Sequence, residues 1–275
     1  MNQHPTLAFI GAGNMARAII GGLISNGFPA ANIRASSPTI DRLADLKSQG
    51  LFVTTDNTEA MSSADIVVLA VKPQMLKAVL QPLAAAAAQN KPLFISVAAG
   101  ITSQSINKWL GGDQAIVRCM PNTPALVKMG ANGLFANASV SEAQRSQAVS
   151  VLSATGLTLW VEQEEQLHAV TAVSGSAPAY YFLFMEAMIA AAVKQGLSKE
   201  VATQLTLQTA RGAAEMALQS DVDPAELRRR VTSPKGTTEQ AILSFQANHL
   251  DRLVEEAMQA CAARSVSMAK ELGED

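Results

Sequence analysis

Hydrophobic positions follow two different patterns in the two parts of this chain. From Thr6 to about Val161, short apolar runs alternate with helix-length amphipathic segments. We predict strands at TLAFIG, NIRAS, LFVTT, DIVVLAV, PLFISVA, AIVRCM, GLFA and LTLWV. Several of these runs are continuously apolar, as expected for parallel strands that are covered on both faces. The first part is therefore predicted to be a doubly wound α/β domain.

The second part contains helical patterns only. We predict helices at roughly 163–172, 176–195, 198–218, 223–230, 235–246 and 249–272. Ser198 in SKEVA and Asp223 in DPAEL have the composition of capped helix starts. The sequence thus predicts an α/β domain at 1–161 and an all-α domain at 162–275.

Composition limits the possible partners. The 275 residues are 48% hydrophobic and carry 21 basic and 23 acidic side chains, a net charge of -2. This balance offers no electrostatic footprint for nucleic acid or an anionic membrane, so we expect a small-molecule partner. The two cysteines are far apart and predict neither a disulfide framework nor a metal site. The first residues, MNQHPTLAFIG, lack a basic region, and we expect a cytoplasmic protein.

One apolar segment, APAYYFLFMEAMIAAAVKQG from Ala177, resembles a membrane span in composition. Glu186 interrupts its middle, and a carboxylate at bilayer depth is energetically costly. We therefore interpret the segment as a helix covered on nearly all sides, at a subunit contact.

A glycine-rich turn follows the first predicted strand. LAFIGAGNMARAIIGG places Gly11, Gly13 and Ala16 in the spacing G-x-G-x-x-A, just before a predicted helix. Gly11 would allow the tight turn, Gly13 would let a pyrophosphate approach the backbone, and Ala16 would let the helix pack closely on the strand. Glycines can also simply tighten such a turn. The position within an alternating pattern favours a Rossmann-like dinucleotide site, with phosphates at the positive end of the helix.

The second predicted strand ends in RASSPTIDR, which bears on the choice of cofactor. Ser36 and Ser37 stand where an NAD enzyme usually carries the acid that binds the ribose 2′-hydroxyl. Two hydroxyls with Arg34 or Arg42 nearby would favour NADPH, with NADH possible, although a serine-rich turn is also ordinary loop chemistry. Asn57, after the third strand, could cap a helix or contact the adenosine half of the cofactor.

Three further strand ends are candidates for the same crevice, because ligands of open α/β sheets bind at the carboxyl ends of strands. Val71, Lys72 and Pro73 end the fourth strand, although Lys72 could also be a solvated strand end. SVAAG, which contains Ala98, and MPNTP end the next two strands with small or proline-fixed residues. Such residues suit the close approach of a flat nicotinamide.

The motifs FIGAGNMA, AVKP, MPNTP, AVSGSAPAY and VTSPKGTTEQA occur in that order. With them the chain resembles the pyrroline-5-carboxylate reductases over essentially its full length. The resemblance implies reduction of L-1-pyrroline-5-carboxylate to L-proline by NAD(P)H, the last step of proline biosynthesis. It also implies an interlaced homodimer or higher oligomer in which the 162–275 domain serves dimerisation and substrate binding. SPKGTT of one subunit would then face the nicotinamide of the other.

The resemblance also assigns residues to roles. The expected cofactor-binding residues are Gly11, Gly13, Asn14, Met15, Ser36, Ser37, Asn57, Val71, Lys72, Pro73 and Ala98. The expected substrate-binding residues are Ser174, Gly236, Thr237 and Thr238, with Ser233 and Thr238 as the catalytic residues. Many relatives have glycine where this chain has Lys235. If that position demanded a positive φ, lysine would be strained there, so either the loop is right-handed or its geometry differs.

Physical chemistry supports a substrate site at SPKGTT. Ser233 could be the N-cap of a helix and Pro234 its first residue, leaving the N–H groups of Gly236 and Thr237 for a substrate carboxylate. A protonated pyrroline accepts hydride directly, so the motif needs no strong acid or base, and a Thr238 hydroxyl can accept a bond from the ring N–H. An ordinary capped helix start is the alternative.

Other motifs and functions remain open at this level. Ser174 or Ser176 could cap the long helix, and we expect His168 to be a structural imidazole. A 3-hydroxyacid dehydrogenase of the 6-phosphogluconate type would have the same architecture, but those enzymes need a lysine in the first long helix of the second domain. In the corresponding helix of this chain, no lysine occurs before Lys194. An NADP-binding protein without turnover is the third alternative.

Overall fold

The computed structural model describes residues 4–273. Within them, eight strands form one sheet, and every strand that we predicted is confirmed. The strands are β1 Leu7–Ile10, β2 Ile33–Ser36, β3 Phe52–Thr54, β4 Ile66–Leu69, β5 Leu93–Ser96, β6 Ala115–Met120, β7 Gly130–Ala136 and β8 Gly156–Trp160. Their order is β3-β2-β1-β4-β5-β6-β7-β8, and only the β6–β7 pair is antiparallel. The strand order reverses between β1 and β4, which is where doubly wound sheets bind ligands.

Helices cover both faces of this sheet. They are α1 Asn14–Ser25, α2 Ala44–Ser48, α3 Asn57–Met61, α4 Pro73–Leu80, α5 Ala84–Asn90, α6 Ser103–Trp109 and α7 Glu142–Leu152. Phe9 packs in a cluster on one face and Ile10, its neighbour, in a cluster on the other, both with no exposed surface. Two buried faces explain why the central strands are continuously apolar.

The helices of the second part also match their predicted positions. They are α8 Gln166–Val170, α9 Ala177–Lys194, α10 Lys199–Leu218, α11 Pro224–Arg230, α12 Thr237–Ala247 and α13 Leu250–Gly273. Ser198 caps α10 by accepting the Val201 N–H, and Asp223 caps α11 by accepting the Glu226 N–H, as predicted. The predicted α/β fold with an all-helical second part is confirmed.

Contacts divide the chain into two compact units. The sheet unit comprises 1–176 together with 261–275, and the helical unit comprises 177–260. The last part of α13 thus belongs to the sheet unit, where Leu272 packs against the core. The domain boundary that we predicted at residue 161 differs from this division by contacts. Contacts within one chain do not test it, so the boundary stays a prediction.

The helical unit leaves many apolar side chains in contact with solvent. On α9, Tyr181, Phe182 and Leu183 are each about two-thirds exposed. The continuous helix Gln166–Lys194 is long and apolar enough to cross a membrane by length and composition alone, and only 6% of its most apolar window is buried. The described residues of the single chain therefore do not provide the predicted cover of α9.

A π-helical turn, Thr171–Gly175, joins α8 to α9. The Ser176 N–H donates to the Thr171 carbonyl over 2.8 Å, five residues back. The Ser174 hydroxyl donates to the Val170 carbonyl, so Ser174 does not cap α9. Ser176 has helical backbone angles, and its hydroxyl accepts a bond from the Cys261 thiol. The cap expected at one of these two serines is wrong, because the helix continues through them.

Candidate active site

The turn after β1 has the geometry expected of a dinucleotide site. Gly11 has φ of 92°, and a Cβ there would lie 2.8 Å from both the Ala70 carbonyl oxygen and the Val71 side chain. Its N–H donates to the Ser36 carbonyl over 3.1 Å. Any other residue would be strained by the positive φ and would collide with the end of β4. Gly11 therefore fixes the distance between three neighbouring strand ends.

The start of α1 offers backbone donors to a ligand. Gly13 is the N-cap, it is exposed, and no described atom lies within 4 Å of where its Cβ would be. Among the described residues no side chain caps this helix. Asn14 is exposed and Met15 half-buried at the first turn. Room at Gly13 and uncapped N–H groups fit a pyrophosphate.

Ser36 and Asn57 meet after β2 and β3, but not as expected. The Ser36 hydroxyl donates to Asn57 Oδ1 over 2.7 Å, and Ser36 has no exposed surface. In this structure the Ser36 hydroxyl is therefore not open to a 2′-phosphate, and a place for Ser36 in the cofactor site stays a prediction. Asp56, not Asn57, caps α3 by accepting two backbone N–H groups. Ser36 instead holds the Asn57 side chain, because a buried hydroxyl needs a partner.

Ser37 and the two arginines lie nearer to solvent. Ser37 is 8% exposed, so a small part of it reaches the surface. The Arg34 guanidinium stacks 4.4 Å from the centre of the Phe52 ring and contacts the Ser63 hydroxyl. Arg42 is exposed in the turn that follows Ser37. Arg42 is thus better placed than Arg34 to meet an anion beside Ser37.

The ends of β4 and β5 complete this edge of the sheet. Lys72 is exposed and is the N-cap residue of α4, with Pro73 as the first helical residue. Val71 is half-buried beside Gly11. Ala98 is 5% exposed, and its N–H donates to the Ser96 hydroxyl. The predicted cofactor residues of the sheet unit therefore share one edge.

The end of β6 contains a contact that the sequence reasoning missed. Asn122 of MPNTP donates from Nδ2 to the Ser174 carbonyl over 3.1 Å. Its Oδ1 accepts the Ala131 N–H over 2.9 Å. Two of the quoted motifs, MPNTP and AVSGSAPAY, are thereby joined at the carboxyl edge of the sheet. Pro178 could have signalled this contact, because it has no N–H for the carbonyl four residues before it.

SPKGTT forms a turn followed by a helix, and here the predicted cap is wrong. Gly236, not Ser233, is the N-cap of α12, and its N–H donates to the Ser233 carbonyl over 3.0 Å. That amide is therefore not available to an anion. Lys235 has φ of 61°. Since proline fixes a negative φ at the second position, this is a type II turn, whose third position favours glycine. The alternative of a right-handed backbone at Lys235 is therefore wrong.

The first turn of α12 presents the remaining donors of the motif. Thr237 and Thr238 are its first two residues and are exposed, as is Ser233. Among the described residues, no side chain caps this helix. Glu239 reaches back and accepts the Lys235 N–H over 2.7 Å. The amides without a helical acceptor at this helix start are thus those of Thr237, Thr238 and Glu239.

A second polar cluster in the sheet unit also went unnoticed in the sequence. Glu164 pairs with Arg118 over 2.9 Å and accepts both the N–H and the hydroxyl of Ser103 at the start of α6. His168 bonds the Ser265 hydroxyl through Nδ1 over 2.9 Å. Burial and the Arg118 charge lower the pKa of His168, so the imidazole is neutral at neutral pH. This agrees with a structural role for His168.

Within residues 4–273, no three His, Cys, Asp or Glu side chains come together as a metal-binding group. Cys119 is buried, and burial raises the pKa of its thiol. Its thiol therefore remains protonated and is a poor nucleophile.

Two family models match separate parts of the chain. The model described as pyrroline-5-carboxylate reductase dimerisation matches residues 164–268. The model described as NADP oxidoreductase, coenzyme F420-dependent, matches residues 6–100. The first contains α9 and SPKGTT, and the second contains the glycine-rich turn.

Whole-chain comparisons agree with these matches. The chain is 57% identical over 271 residues to a pyrroline-5-carboxylate reductase of Pseudomonas aeruginosa, covering 98% of this chain and 99% of that protein. A solved pyrroline-5-carboxylate reductase from Coxiella burnetii has a TM-score of 0.95 and 45% identity, covering 98% and 100% of the two chains. The NADP-bound reductase of Plasmodium falciparum has a TM-score of 0.85 and 30% identity, covering 97% and 98%. The chain belongs to the pyrroline-5-carboxylate reductase family.

Proposed function

We propose that this chain reduces L-1-pyrroline-5-carboxylate to L-proline, the last step of proline biosynthesis, with hydride from NADPH. The observation that carries the proposal is the start of α12. There a type II turn leads into a helix that has no side-chain cap, with Thr237 and Thr238 exposed. Full-length similarity to curated reductases of this name supports it. NADH is the alternative donor.

The cofactor half of the proposed site is the carboxyl edge of the sheet. Gly11 and Gly13 shape the turn, and the amides of Asn14 and Met15 meet the pyrophosphate at the start of α1. Room at Gly13 and the uncapped helix fit that role. When bound, NADPH supplies the hydride. Val71, Lys72, Pro73 and Ala98 line the path from the pyrophosphate toward the nicotinamide.

The preference for NADPH is proposed to rest on the end of β2. No carboxylate stands at Ser36 or Ser37 to bind a ribose 2′-hydroxyl. Ser37 and the exposed Arg42 can meet a 2′-phosphate, and Asn57, held by Ser36, can contact the adenosine ribose. Ser36 thus acts through Asn57. The NADP-bound Plasmodium relative supports the same cofactor.

The substrate half is proposed to be the start of α12. The substrate carboxylate would bind the amides of Thr237 and Thr238, where the positive helix end favours an anion. This corrects the earlier expectation for Gly236, whose role is to form the turn. Ser233, exposed on the other side of the turn, can bond the same carboxylate. Ser174 contacts the ring from the sheet unit of a subunit.

The chemistry requires little from the side chains. A protonated pyrroline carries an electrophilic C=N carbon, and hydride transfer to that carbon leaves a neutral ring amine. The Thr238 hydroxyl accepts the N–H of this ring and holds the carbon toward the donor. Positioning of this kind accounts for a large part of catalysis when no proton must be removed by a base.

Self-association belongs to this proposal. The match of 164–268 to a dimerisation model supports a dimer, as do the exposed apolar residues of α9. We propose that SPKGTT of one subunit completes the site of its partner. This assignment also accounts for the apolar helix Gln166–Lys194 without a membrane. We infer a cytoplasmic location from the similarity to bacterial pyrroline-5-carboxylate reductases.

Absorbance at 340 nm tests the function directly. NADPH should be oxidised when pyrroline-5-carboxylate is added, with proline as the product identified by mass spectrometry. Turnover of a 3-hydroxyacid with NADP instead would show a dehydrogenase of the 6-phosphogluconate type. Binding of NADPH with neither reaction would show a nucleotide-binding protein and would overturn the proposal.

A further inference from the structure

Asn122 connects two backbone segments with one side chain. Its Nδ2 donates to the Ser174 carbonyl over 3.1 Å, and its Oδ1 accepts the Ala131 N–H over 2.9 Å. A carbonyl can only accept and an amide N–H can only donate, so these partners fix which way the Asn122 amide points. The side chain therefore holds the loop after β6 at a set distance from the turn that contains Ser174.

The Ser174 carbonyl needs this partner for a local reason. In an α-helix it would accept from the residue four positions later, which is Pro178 and has no N–H. The chain passes this point as a π turn, in which Ser176 bonds back to Thr171. π turns inside α-helices are frequent at functional sites. The Asn122 amide donates to the Ser174 carbonyl, which has no helical donor because residue 178 is a proline.

A second contact holds the same turn against β6. The position of a Cβ on Gly175 would lie 2.3 Å from the methyl carbon of Met120, the last residue of β6. The absence of a side chain at Gly175 thus lets the turn pack directly on Met120. Two independent contacts, one polar and one apolar, place Ser174 beside the carboxyl end of β6.

We propose that Asn122 is a positioning residue for the reaction: through its bond to the Ser174 carbonyl it sets the place of the pyrroline ring relative to the nicotinamide. This inference rests on the proposed function and on Ser174 as a substrate contact. Asn122 acts on the substrate through Ser174. Loss of the Asn122 donor should therefore weaken pyrroline turnover and leave the affinity for NADPH unchanged.

The chain offers a matched control at the other end of β6. Asn137 donates from Nδ2 to the Gln114 carbonyl over 2.9 Å, and its Oδ1 accepts the Ile116 N–H over 3.1 Å. It makes the same pair of backbone bonds as Asn122 with similar burial, but at the amino end of the strand. Asn137→Asp and Asn122→Asp each keep the acceptor and lose the donor.

The experiment compares both variants with the wild-type full-length protein. Melting temperature, the Kd of NADPH and the KM and kcat for pyrroline-5-carboxylate are measured for each. We expect similar losses of melting temperature, because both variants lose one bond of the same kind. Only Asn122→Asp should lower kcat/KM for the pyrroline, by about 10- to 100-fold, or about 1.4–2.8 kcal/mol. The Kd of NADPH should stay within about twofold in both.

Gly175→Ala provides a second test that leaves Asn122 intact. Its φ is not positive, so alanine is tolerated by the backbone, but its Cβ must displace the Met120 methyl group or the turn itself. Because that methyl group ends a flexible side chain and can partly move aside, we expect a smaller loss, again in pyrroline turnover and not in NADPH affinity. This variant keeps the inference testable if Asn122→Asp does not fold.

The outcomes separate the inference from the function. If the wild type is active and Asn122→Asp and Gly175→Ala both match Asn137→Asp in kcat/KM, the inference is overturned and the function stands. Equal losses of NADPH affinity and pyrroline turnover also overturn it, since they indicate a general defect. A wild-type protein that does not reduce the pyrroline overturns both.

Discussion

The sheet unit and the helical unit bury apolar surface in different ways. In the sheet unit, Phe9, Ile10 and Phe94 have no exposed surface, because helices cover both faces of the sheet. In the helical unit, α11 and α12 contain no buried residue, and α9 buries only Ala177. The sheet unit thus contains a buried core of its own, whereas the described residues of the helical unit leave much of its apolar surface exposed. Self-association through the part of the chain that matches the dimerisation model explains this difference.

The strongest test of this comparison adds a charge to α9. Leu183→Asp should prevent self-association and abolish activity, because the interface would have to bury two unpaired carboxylates. The expected cost exceeds about 4 kcal/mol per dimer, roughly a thousandfold in association. Light scattering and the 340 nm assay measure the two effects.

Leu157→Asp is the control for this experiment. Leu157 lies on β8 and is 58% exposed, similar to the 67% of Leu183. We expect its variant to remain associated and active. Loss of association in Leu157→Asp but not in Leu183→Asp would place the interface on the sheet unit and contradict the comparison.

Gly11→Ala tests the proposed cofactor site of the sheet unit. The left-handed φ alone costs roughly 1–3 kcal/mol, and the collision with Ala70 and Val71 adds to it. NADPH affinity should therefore fall by about 100-fold or more. Gly27→Ala has a similar φ, 86°, with open space around the Cβ position. It should lose stability without losing NADPH affinity, and equal affinity losses would refute the role of Gly11.

Thr238→Ala tests the proposed substrate site of the helical unit. Removing the hydroxyl should lower kcat/KM for the pyrroline by about 10- to 150-fold, since a bond to a charged group contributes about 1.5–3 kcal/mol. Melting temperature should barely move, because Thr238 is exposed and caps nothing described. Ser198→Ala, which removes the cap of α10, should show the reverse. Activity lost only through unfolding would make SPKGTT a structural cap.

The same variant can show whether subunits share sites. Gly11→Ala and Thr238→Ala affect different parts of the chain, and each should be strongly impaired alone. When co-expressed, mixed dimers should recover activity, because a shared arrangement gives one site with neither change. No recovery in mixed dimers isolated by two tags would contradict the proposal that SPKGTT serves the partner subunit.

Ser37→Asp sharpens the cofactor assignment. A carboxylate beside the 2′-phosphate should raise the KM for NADPH by about tenfold through repulsion and leave that for NADH nearly unchanged. NADH in the same variant is the control. Ser36 does not suit this test, because a charge at a fully buried position would unfold the protein. Equal effects on both cofactors would remove Ser37 from the site.

Lys235→Gly should have the smallest effect. Lysine at φ of 61° costs roughly 1–2 kcal/mol, and the greater freedom of glycine in the unfolded chain offsets part of this. We expect a gain of about 0.5–1 kcal/mol, or about 1–4 °C in melting temperature, with activity unchanged. A lower melting temperature would show that the lysine side chain stabilises the turn in another way.

The sequence by itself determined the element order and predicted the place of the chemistry. Apolar period and glycine spacing gave every strand and the helix start at Gly13, because these features depend on residues that are close in sequence. The Ser198 and Asp223 caps were predictable for the same reason. The resemblance of SPKGTT and AVSGSAPAY to family motifs pointed to the substrate half, whose residues stay predictions.

Only the tertiary structure decided how buried polar groups are paired. Ser36 has the right place for a phosphate ligand, yet its hydroxyl is buried against Asn57. Asn122 and Ser174, 52 residues apart, are joined only because β6 ends beside the π turn. Ser233 has the composition of a cap, but the positive φ of Lys235 moves the helix start to Gly236. Each depends on a partner or a backbone angle that local sequence does not specify, because a polar group bonds whatever the fold brings within reach.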